Sequence, residues 1–188
     1  MEEGASAREG SLWTIGHSTR PWDAFVDMLR EAGITQLVDV RRFAGSRRNP
    51  QFSPALMGPA LEQAGIDYIP MPELGGRRPP HKDSPNGAWR VAAFRGYADY
   101  MATPEFMLAR ERLMRRAHAA PTAVMCAEAV WWQCHRRLIA DDFIARDWRV
   151  LHLMAPGKVQ VHPLNPAARM QDGVLRYPPE GDDQAALF

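Results

Sequence analysis

The chain has 188 residues and a mass of 21.2 kDa, which is enough for one well-buried domain and too little for two domains of ordinary size. Its composition, 46% hydrophobic and 24% charged, excludes a collagen-like, coiled-coil or wholly disordered chain. The formal net charge is +1, so any affinity for nucleic acid must come from local basic patches. Arginine far outnumbers lysine, which is typical of phosphate or carboxylate recognition and equally of a genome-level codon bias.

Three features predict a cytoplasmic protein with free thiols. No apolar run approaches the ~18 residues of a membrane span. The first residues carry an acidic pair where a signal peptide carries positive charge. Two cysteines, Cys126 and Cys134, are too few for a disulfide framework. Residues 1–10 are predicted to be a disordered leader and 179–188 an acidic tail, which leaves 11–178 as a single α/β domain.

The first half of the chain alternates short apolar runs with helical periods, a pattern that indicates a parallel α/β sheet. The predicted elements are a strand over 12–16, a helix from Pro21 to Gly33, a strand over 37–40, a helix from Ser53 to Gly65 and a strand over 66–69. The second helix is expected to bury an apolar face made by Leu56, Met57, Ala60 and Leu61.

The second half begins with a stretch over 70–93 that is rich in proline and glycine, and we expect a long irregular loop there. The predicted elements that follow are a helix over 94–101, a helix from Thr103 to Arg116 with Phe106, Leu108, Leu113 and Met114 inside, a strand over 122–126, a helix over 135–145 and a strand over 149–153. The predicted fold is therefore an open, mostly parallel α/β sheet of about five strands flanked by helices.

Polar clusters follow four of the predicted strands directly. They are His17-Ser18-Thr19, Arg41-Arg42 with Ser46-Arg47-Arg48-Asn49, Glu73, and Glu128 with Cys134-His135-Arg136-Arg137. In open α/β sheets the ligand crevice lies outside the carboxyl ends of the strands, where helix N-termini present free N–H groups. We therefore expect these clusters to converge on one site.

Cys134 is the candidate nucleophile, because it precedes His135 and Arg136 at the predicted start of a helix. The helix dipole and nearby guanidiniums favour thiolate over thiol there, and a fall of one pKa unit is worth about 1.4 kcal/mol. Such a sulfur can attack an electrophilic carbon or phosphorus. The alternative is a cysteine that only packs, which is also the expectation for Cys126 inside an apolar strand.

Glu128 is a candidate general acid or base. It follows the fourth strand and is close in sequence to the tryptophans at 131–132. A carboxyl group against indole surface tends to have a raised pKa, which suits proton transfer. A salt bridge from Glu128 to Arg136 or Arg41 is the alternative.

His17 is a candidate base or phosphate donor, or else a hydrogen-bonded structural histidine. Together with Cys126, Cys134 and His135 it also offers soft metal ligands. The spacing Cys-x₇-Cys-His is not that of a zinc site, and consecutive cysteine and histidine rarely point at one ion, so no metal site is predicted.

The stretch over 41–48 holds four arginines and no acidic residue. Four guanidiniums can hold a phosphodiester or a nucleotide phosphate. Aromatic residues in or after the long loop could stack on bases, namely Trp89, Phe94, Tyr97 and Tyr100. The competing interpretation is that Arg41 pairs with Asp39 or Glu128 and that the other arginines are solvated.

Seven motifs occur in order along the core: TIGHS (14–18), LVDVRR (37–42), GSRRNPQF (45–52), ELGG (73–76), FRGYADYM (94–101), CAE (126–128) and CHRRLIA (134–140). With them, residues 12–165 resemble the domain-of-unknown-function family 488. The family has no agreed activity, and some members carry DNA-repair labels. Its pattern falls on His17, Ser18, Asp39, Arg41, Ser46, Arg47, Pro50, Phe52, Leu74-Gly75-Gly76, Tyr97, Cys126, Glu128, Cys134, His135 and Arg136. The segment Trp131-Trp132-Gln133 departs from the pattern and bears on substrate size.

Together these observations predict an enzyme acting on a phosphate-bearing substrate, a nucleotide or nucleic acid, with hydrolase- or glycosylase-like chemistry and a site at the carboxyl ends of the strands. The predicted catalytic residues are Cys134, Glu128 and His17. The predicted substrate- or phosphate-binding residues are Ser18, Arg41, Ser46, Arg47, Tyr97, His135 and Arg136. The cofactor and the oligomeric state stay open. The alternatives are a non-catalytic nucleic-acid-binding module and a thiol-based redox or metal-responsive protein.

Overall fold

Six strands form one sheet in the order β3-β2-β4-β1-β5-β6. The computed structural model describes residues 10–45 and 47–181. The strands are β1 (Ser11–Gly16), β2 (Gln36–Asp39), β3 (Asp67–Pro70), β4 (Thr122–Cys126), β5 (Arg149–Ala155) and β6 (Lys158–Val161). The first five are parallel, and β6 runs antiparallel to β5. The predicted mostly parallel sheet is confirmed. Ser46, residues 1–9 of the predicted leader and residues 182–188 of the predicted tail lie outside the described residues.

Five helices cover the two faces of this sheet. They are α1 (Trp22–Glu31), α2 (Pro54–Gln63), α3 (Ala92–Tyr100), α4 (Pro104–Ala119) and α5 (Arg136–Ile144). One apolar core packs α1 and α2 against the sheet, and a second core packs α3, α4 and α5 against the opposite face. A small hairpin of β7 (Arg169–Gln171) and β8 (Val174–Arg176) contributes to the second core. Within the described ranges, no helix has both the length and the apolar content to cross a membrane.

Two leucines that the helical spacing placed in the core face solvent. Leu56 in α2 is 57% exposed, and Leu108 in α4 is 68% exposed. Successive helical residues differ by about 100° in direction, so burial of Met57 and Leu61 turns Leu56 outward. Phe106 and Leu113, which were also predicted to be inside, do lie on the core-facing side of α4.

The strand β4 lies between β1 and β2 and places three strand ends side by side. In the parallel register, Gly16 of β1 is level with Cys126, and Asp39 of β2 is level with Met125. The chain leaves β2 toward β3 at one edge of the sheet and leaves β4 toward β5 on the other side. A crevice therefore opens between the carboxyl ends of β2 and β4, where such folds bind ligands.

The proline- and glycine-rich loop between β3 and α3 contains only the short 3-10 turn Pro72–Leu74 as regular structure. It is nevertheless anchored to α3. The buried carboxylate of Asp99 accepts hydrogen bonds from the His81 backbone N–H, the Ser84 hydroxyl and the Asn86 amide. Tyr97 Oη also donates to the carbonyl of Leu74 over 2.7 Å. These bonds fix the loop against the edge of the crevice.

Candidate functional site

Two adjoining depressions lie at the carboxyl ends of β1, β2 and β4. We call the first the thiol cavity; it has a volume of about 230 Å³, and its lining includes Arg41, Arg42, Phe43, Arg77, Phe94, Cys126, Glu128, Cys134 and His135. We call the second the arginine hollow; it has a volume of about 410 Å³, and its lining includes His17, Ser18, Arg41, Phe43, Arg47 and Arg48. Arg41, Phe43 and Ala127 line both. The predicted clusters after β1, β2 and β4 thus converge on two connected depressions.

The two cysteines face each other at the thiol cavity. Cys126 ends β4, Cys134 immediately precedes the N-cap of α5, and their Sγ atoms are 2.8 Å apart. Both thiols are free, and the residues are only 2% and 4% exposed. The expectation that Cys126 is a buried strand residue is correct, but its side chain contacts the candidate nucleophile and not only apolar neighbours.

Arg136, the first residue of α5, binds both sulfurs. Its Nε donates to Cys126 Sγ over 2.9 Å, and its backbone N–H donates to Cys134 Sγ over 3.4 Å. The remaining side-chain nitrogens donate to Thr14 Oγ1 over 3.0 Å and to the carbonyl oxygen of Glu128 over 2.8 Å. Arg136 is 1% exposed and lines neither depression. Its guanidinium therefore faces sulfur, the Thr14 hydroxyl and backbone, and not the open space of either depression, so the predicted phosphate-binding role of Arg136 does not fit its position.

This arrangement makes the two thiols chemically different. Burial acts to raise the pKa of Cys134, but the hydrogen bond with Cys126 and the charge and N–H groups of Arg136 outweigh it and lower that pKa to about 7. Burial raises the pKa of Cys126, and its contact with Cys134 raises that pKa further. Cys134 is thus the more acidic thiol of the pair, and Cys126 can donate to it when it is ionised.

Gly16 is required at the end of β1 by a close backbone approach. A Cβ at this position would lie 1.7 Å from the carbonyl oxygen of Glu128 and 2.9 Å from an Arg136 nitrogen. The Glu128 carbonyl that accepts the hydrogen bond from Arg136 can occupy its position only because residue 16 has no side chain.

His135 lies beside the Cys134 sulfur in an orientation that its hydrogen bonds define. Its Nε2 is 3.2 Å from the carbonyl oxygen of Val40, which can only accept, so Nε2 carries the hydrogen. The unprotonated Nδ1 then faces Cys134 Sγ at 3.5 Å. Burial lowers the pKa of His135, which favours the neutral ring. The predicted binding residue Tyr97 is fully buried and packs against this ring at 5.1 Å, so it supports His135 from outside both depressions.

A buried hydrogen-bonded chain leads away from Arg136, and its histidines were not identified from the sequence. Thr14 Oγ1 is 2.6 Å from His152 Nδ1, His152 Nε2 is 2.9 Å from His162 Nδ1, and His162 Nε2 is 2.8 Å from Asp141 Oδ1. The Asp141 carboxylate only accepts, so His162 donates to it through Nε2; with one hydrogen on each ring, His162 Nδ1 accepts from His152 and His152 Nδ1 accepts from Thr14. We call these four residues the polar relay. The sequence signal was a histidine inside the otherwise apolar strand β5.

Trp131 belongs to the segment that departs from the family pattern, and it packs against the polar relay. Its ring stacks on His152 at 4.6 Å with an interplanar angle of 7°. The neighbouring Trp132 is 42% exposed, whereas Gln133 lines the thiol cavity. The segment therefore covers the polar relay and contributes one side chain to the cavity wall.

Arg41 forms a buried ion pair with Asp39, as one of the two interpretations of the sequence had it. Arg41 Nε and Nη2 donate to the two Asp39 oxygens over 2.8 and 2.7 Å, and Nη2 also donates to the carbonyl of Phe52. Tyr68 Oη donates to Asp39 over 2.6 Å. Arg41 Nη1 donates to His17 Nε2 over 3.2 Å. One Nη1–H is left over, so Arg41 can give a ligand a single hydrogen bond.

His17 is held in one tautomer. Its Nδ1 is 2.8 Å from the carbonyl of Ser18, which only accepts, so Nδ1 carries the hydrogen and Nε2 accepts from Arg41. The ring stacks on Phe52 at 4.3 Å. Burial lowers the pKa of His17, with the charge of Arg41 acting in the same direction. His17 is therefore a neutral ring whose lone pair orients Arg41, and Ser18 contributes its backbone to that arrangement.

Glu128 is exposed on the wall of the thiol cavity. Among the described residues, neither Arg41 nor Arg136 forms the salt bridge to its carboxylate that the sequence left open, because their side chains bind Asp39 and the sulfurs. The Glu128 carboxylate is thus available to a ligand in the cavity.

In the arginine-rich stretch over 41–48, Arg42, Arg47 and Arg48 are exposed. The predicted stacking aromatics are mostly in the core: Trp89 and Tyr100 are 7% exposed and Tyr97 is fully buried, while Phe94 lines the thiol cavity. Phe43 is 63% exposed between the two depressions, with the guanidiniums of Arg42 and Arg77 over its ring at 5.5 and 5.7 Å. Sequence reasoning did not single out Phe43.

No group of three or more His, Cys, Asp or Glu side chains within residues 10–45 and 47–181 is arranged to hold a metal ion.

In a comparison with known protein families, residues 21–143 match the domain of unknown function DUF488. The chain belongs to this family. The matched region of this DUF488 chain includes Arg41, Cys126, Glu128 and Cys134, and it excludes His17 and β5. No curated protein and no solved structure matches the chain.

Proposed function

We propose that this DUF488 chain is a hydrolase in which Cys134 attacks a phosphate-bearing substrate, a nucleotide or a nucleic acid. The observation that carries the proposal is the setting of the Cys134 sulfur. It lines an open cavity while it is within hydrogen-bond distance of Cys126 Sγ and accepts from the Arg136 backbone N–H. A sulfur in this setting carries negative charge and remains open to an electrophile.

Two further groups at the thiol cavity support proton transfer. The unprotonated His135 Nδ1, 3.5 Å from Cys134 Sγ, is placed to take the thiol proton. His135 then gives this proton to the leaving group, and the exposed Glu128 carboxylate on the cavity wall is placed to take a proton from the water that hydrolyses the Cys134 intermediate. This assigns His135 a proton-transfer role in addition to the binding role that the sequence favoured.

The arginine hollow supplies the phosphate-binding side of the proposed site. Arg47 and Arg48 are exposed there, and the one unused N–H of Arg41 lies between the hollow and the thiol cavity. A substrate that extends across Arg41 has its phosphate against guanidiniums and its reacting bond near Cys134. His17 acts through Arg41 in this proposal, because its Nε2 lone pair is already engaged.

A screen of nucleotides and short single- and double-stranded oligonucleotides tests the proposal. Wild-type protein is expected to release a hydrolysis product, and a covalent Cys134 adduct should be detected by mass spectrometry after acid quench. Cys134→Ala should abolish turnover and the adduct, and Glu128→Gln should slow turnover by about 10²–10⁴-fold, the usual contribution of a general acid or base.

The binding residues need a matched control. Arg47→Ala should raise KM, whereas Arg115→Ala removes an exposed arginine of α4 outside both depressions and should leave KM unchanged. Full activity in both Cys134→Ala and Glu128→Gln would overturn the assigned chemistry. Salt-sensitive oligonucleotide binding that persists in Cys134→Ala, without any turnover, would instead indicate a non-catalytic nucleic-acid-binding module.

A further inference from the structure

The proposed hydrolysis does not require Cys126 as a reactant, yet its sulfur is the nearest neighbour that the structure gives to Cys134. The two Sγ atoms are 2.8 Å apart, and a disulfide bond is about 2.05 Å long. A shift of less than an ångström therefore joins them. Cys126 also lines the thiol cavity, so both sulfurs are at the same opening.

The surroundings of Cys126 and Cys134 favour two successive nucleophilic attacks by sulfur. Cys134 carries the lower pKa, so it reacts first with an incoming electrophile. Cys126 is the thiol in contact with it and is placed to attack Cys134 Sγ next. Arg136 donates to both sulfurs and stabilises whichever one carries negative charge at each stage.

We propose that Cys126 and Cys134 form a reactive dithiol that reduces a small, negatively charged disulfide in the thiol cavity. This second activity uses the nucleophile of the proposed hydrolysis but needs no phosphate. The thiols are the reductant, and the bound disulfide is the oxidant.

The exchange is balanced in two steps. The Cys134 thiolate attacks one sulfur of R–S–S–R, which forms a Cys134–S–S–R mixed disulfide and releases RS⁻, protonated by solvent to RSH. Cys126 then loses its proton, attacks Cys134 Sγ, forms the Cys126–Cys134 disulfide and releases the second RS⁻, which leaves as RSH. Two electrons and two protons pass from the protein dithiol to the substrate.

The charge of the cavity selects among disulfides. Three arginines line it; Asp39 neutralises Arg41, so Arg42 and Arg77 supply the positive charge against one carboxylate, Glu128. Carboxylate groups on the substrate meet complementary charge there, while ammonium groups meet like charge. Its volume of about 230 Å³ admits one arm of a small disulfide and excludes a folded protein surface.

Reaction of the reduced full-length protein with oxidised glutathione tests this inference, with cystamine as the cationic comparison. Wild type is expected to lose both free thiols, release two equivalents of glutathione and show a mass lower by two hydrogens, without a lasting adduct. The initial rate should be about tenfold higher with oxidised glutathione than with cystamine. Arg42→Ala should reduce that preference, and Arg115→Ala should not.

Two variants separate the steps. Cys126→Ser should stop at one glutathione on Cys134, and Cys134→Ser should react far more slowly than wild type. If Cys126→Ser does not fold, rapid acid quench of wild type and peptide mapping must find the transient adduct on Cys134 alone.

A wild-type protein that keeps both thiols, or that gains stable adducts on both, would overturn the dithiol. Equal rates for the two disulfides would overturn the charge selection. Because this assay contains no phosphate substrate, its failure is distinct from failure of the proposed hydrolysis.

Discussion

Arg136 connects Thr14 to the candidate nucleophile, because its Nη1 donates to Thr14 Oγ1 over 3.0 Å while its backbone N–H donates to Cys134 Sγ over 3.4 Å. The Thr14 hydroxyl donates a hydrogen bond to His152, so the Arg136 guanidinium is oriented by a chain of hydrogen bonds that ends at Asp141. The relay holds Arg136 in place beneath the sulfurs without occupying the thiol cavity. Its residues are therefore positioning residues, and they can be tested without a known substrate.

Replacement of Thr14 should alter the Cys134 thiolate. Thr14→Val removes the hydroxyl and leaves an Arg136 N–H and His152 Nδ1 unpaired in the core. We expect the pKa of Cys134 to rise by roughly one unit, which corresponds to about 1.4 kcal/mol. The pH dependence of Cys134 alkylation by iodoacetamide measures it.

The matched variant Thr14→Ser keeps the hydroxyl and should retain the wild-type pH profile. If Thr14 had only a structural role, Thr14→Val would change the free energy of unfolding but would keep the wild-type pH profile of Cys134 alkylation.

Three buried histidines should make the protein less stable in mild acid. Burial lowers the pKa values of His17, His135 and His152, the last to about 2. The unfolded chain binds protons at its histidines below pH ~6.5, while the folded chain resists protonation. The contribution of these histidines to the unfolding free energy should therefore be constant above that pH and fall below it, by up to about 1.4 kcal/mol per pH unit for each histidine.

Urea unfolding between pH 7.5 and 5.5 measures this slope. His152→Gln removes one of the three groups and should give a shallower dependence than wild type. An unfolding free energy that rises as the pH falls would contradict the assignment of neutral buried rings.

The buried pair of Asp39 and Arg41 should contribute strongly to stability through the cost of breaking it. Their side chains are 1% and 6% exposed, and the Nη2–Oδ2 distance is 2.7 Å. Asp39→Asn leaves the guanidinium without its counterion, and we expect a loss of about 3–5 kcal/mol in the free energy of unfolding.

Tyr68→Phe provides the matched comparison, because it deletes only one hydrogen bond to the same carboxylate and leaves its charge in place. The expected loss is smaller, about 1.5–3 kcal/mol. Urea denaturation of both variants measures the difference, and equal losses would show that the charge of Asp39 is not what stabilises Arg41.

The parallel strands and helices were predictable because their apolar periods are long and buried. The strand over 122–126 was predicted with the bounds of β4, which is buried at every residue. β6 and β7 were missed because they have only four and three residues and are exposed throughout, so the sequence offers no buried apolar run there. Within the site, the positions of the polar clusters could be predicted because the clusters directly follow the ends of strands. The roles of Arg41 and Arg136 did not, because sequence cannot tell which of several acceptors a guanidinium reaches.

Asp99 should control the long loop that borders the thiol cavity. Its carboxylate binds the His81 backbone N–H, the Ser84 hydroxyl and the Asn86 amide, and Arg77 and Arg90 of the same loop offer cleavage sites for trypsin. Asp99→Ala removes all three bonds, so local opening becomes easier and cleavage within the loop should be at least several-fold faster.

Limited proteolysis with mapping of the fragments measures this change. Asp83→Ala, which removes an exposed carboxylate in the same loop, is the control and should be cut at the wild-type rate. Faster cleavage spread over the whole Asp99→Ala chain would mean that the substitution unfolds the core. Cleavage confined to the loop, together with faster alkylation of Cys134, would mean that the loop limits access to the thiol cavity.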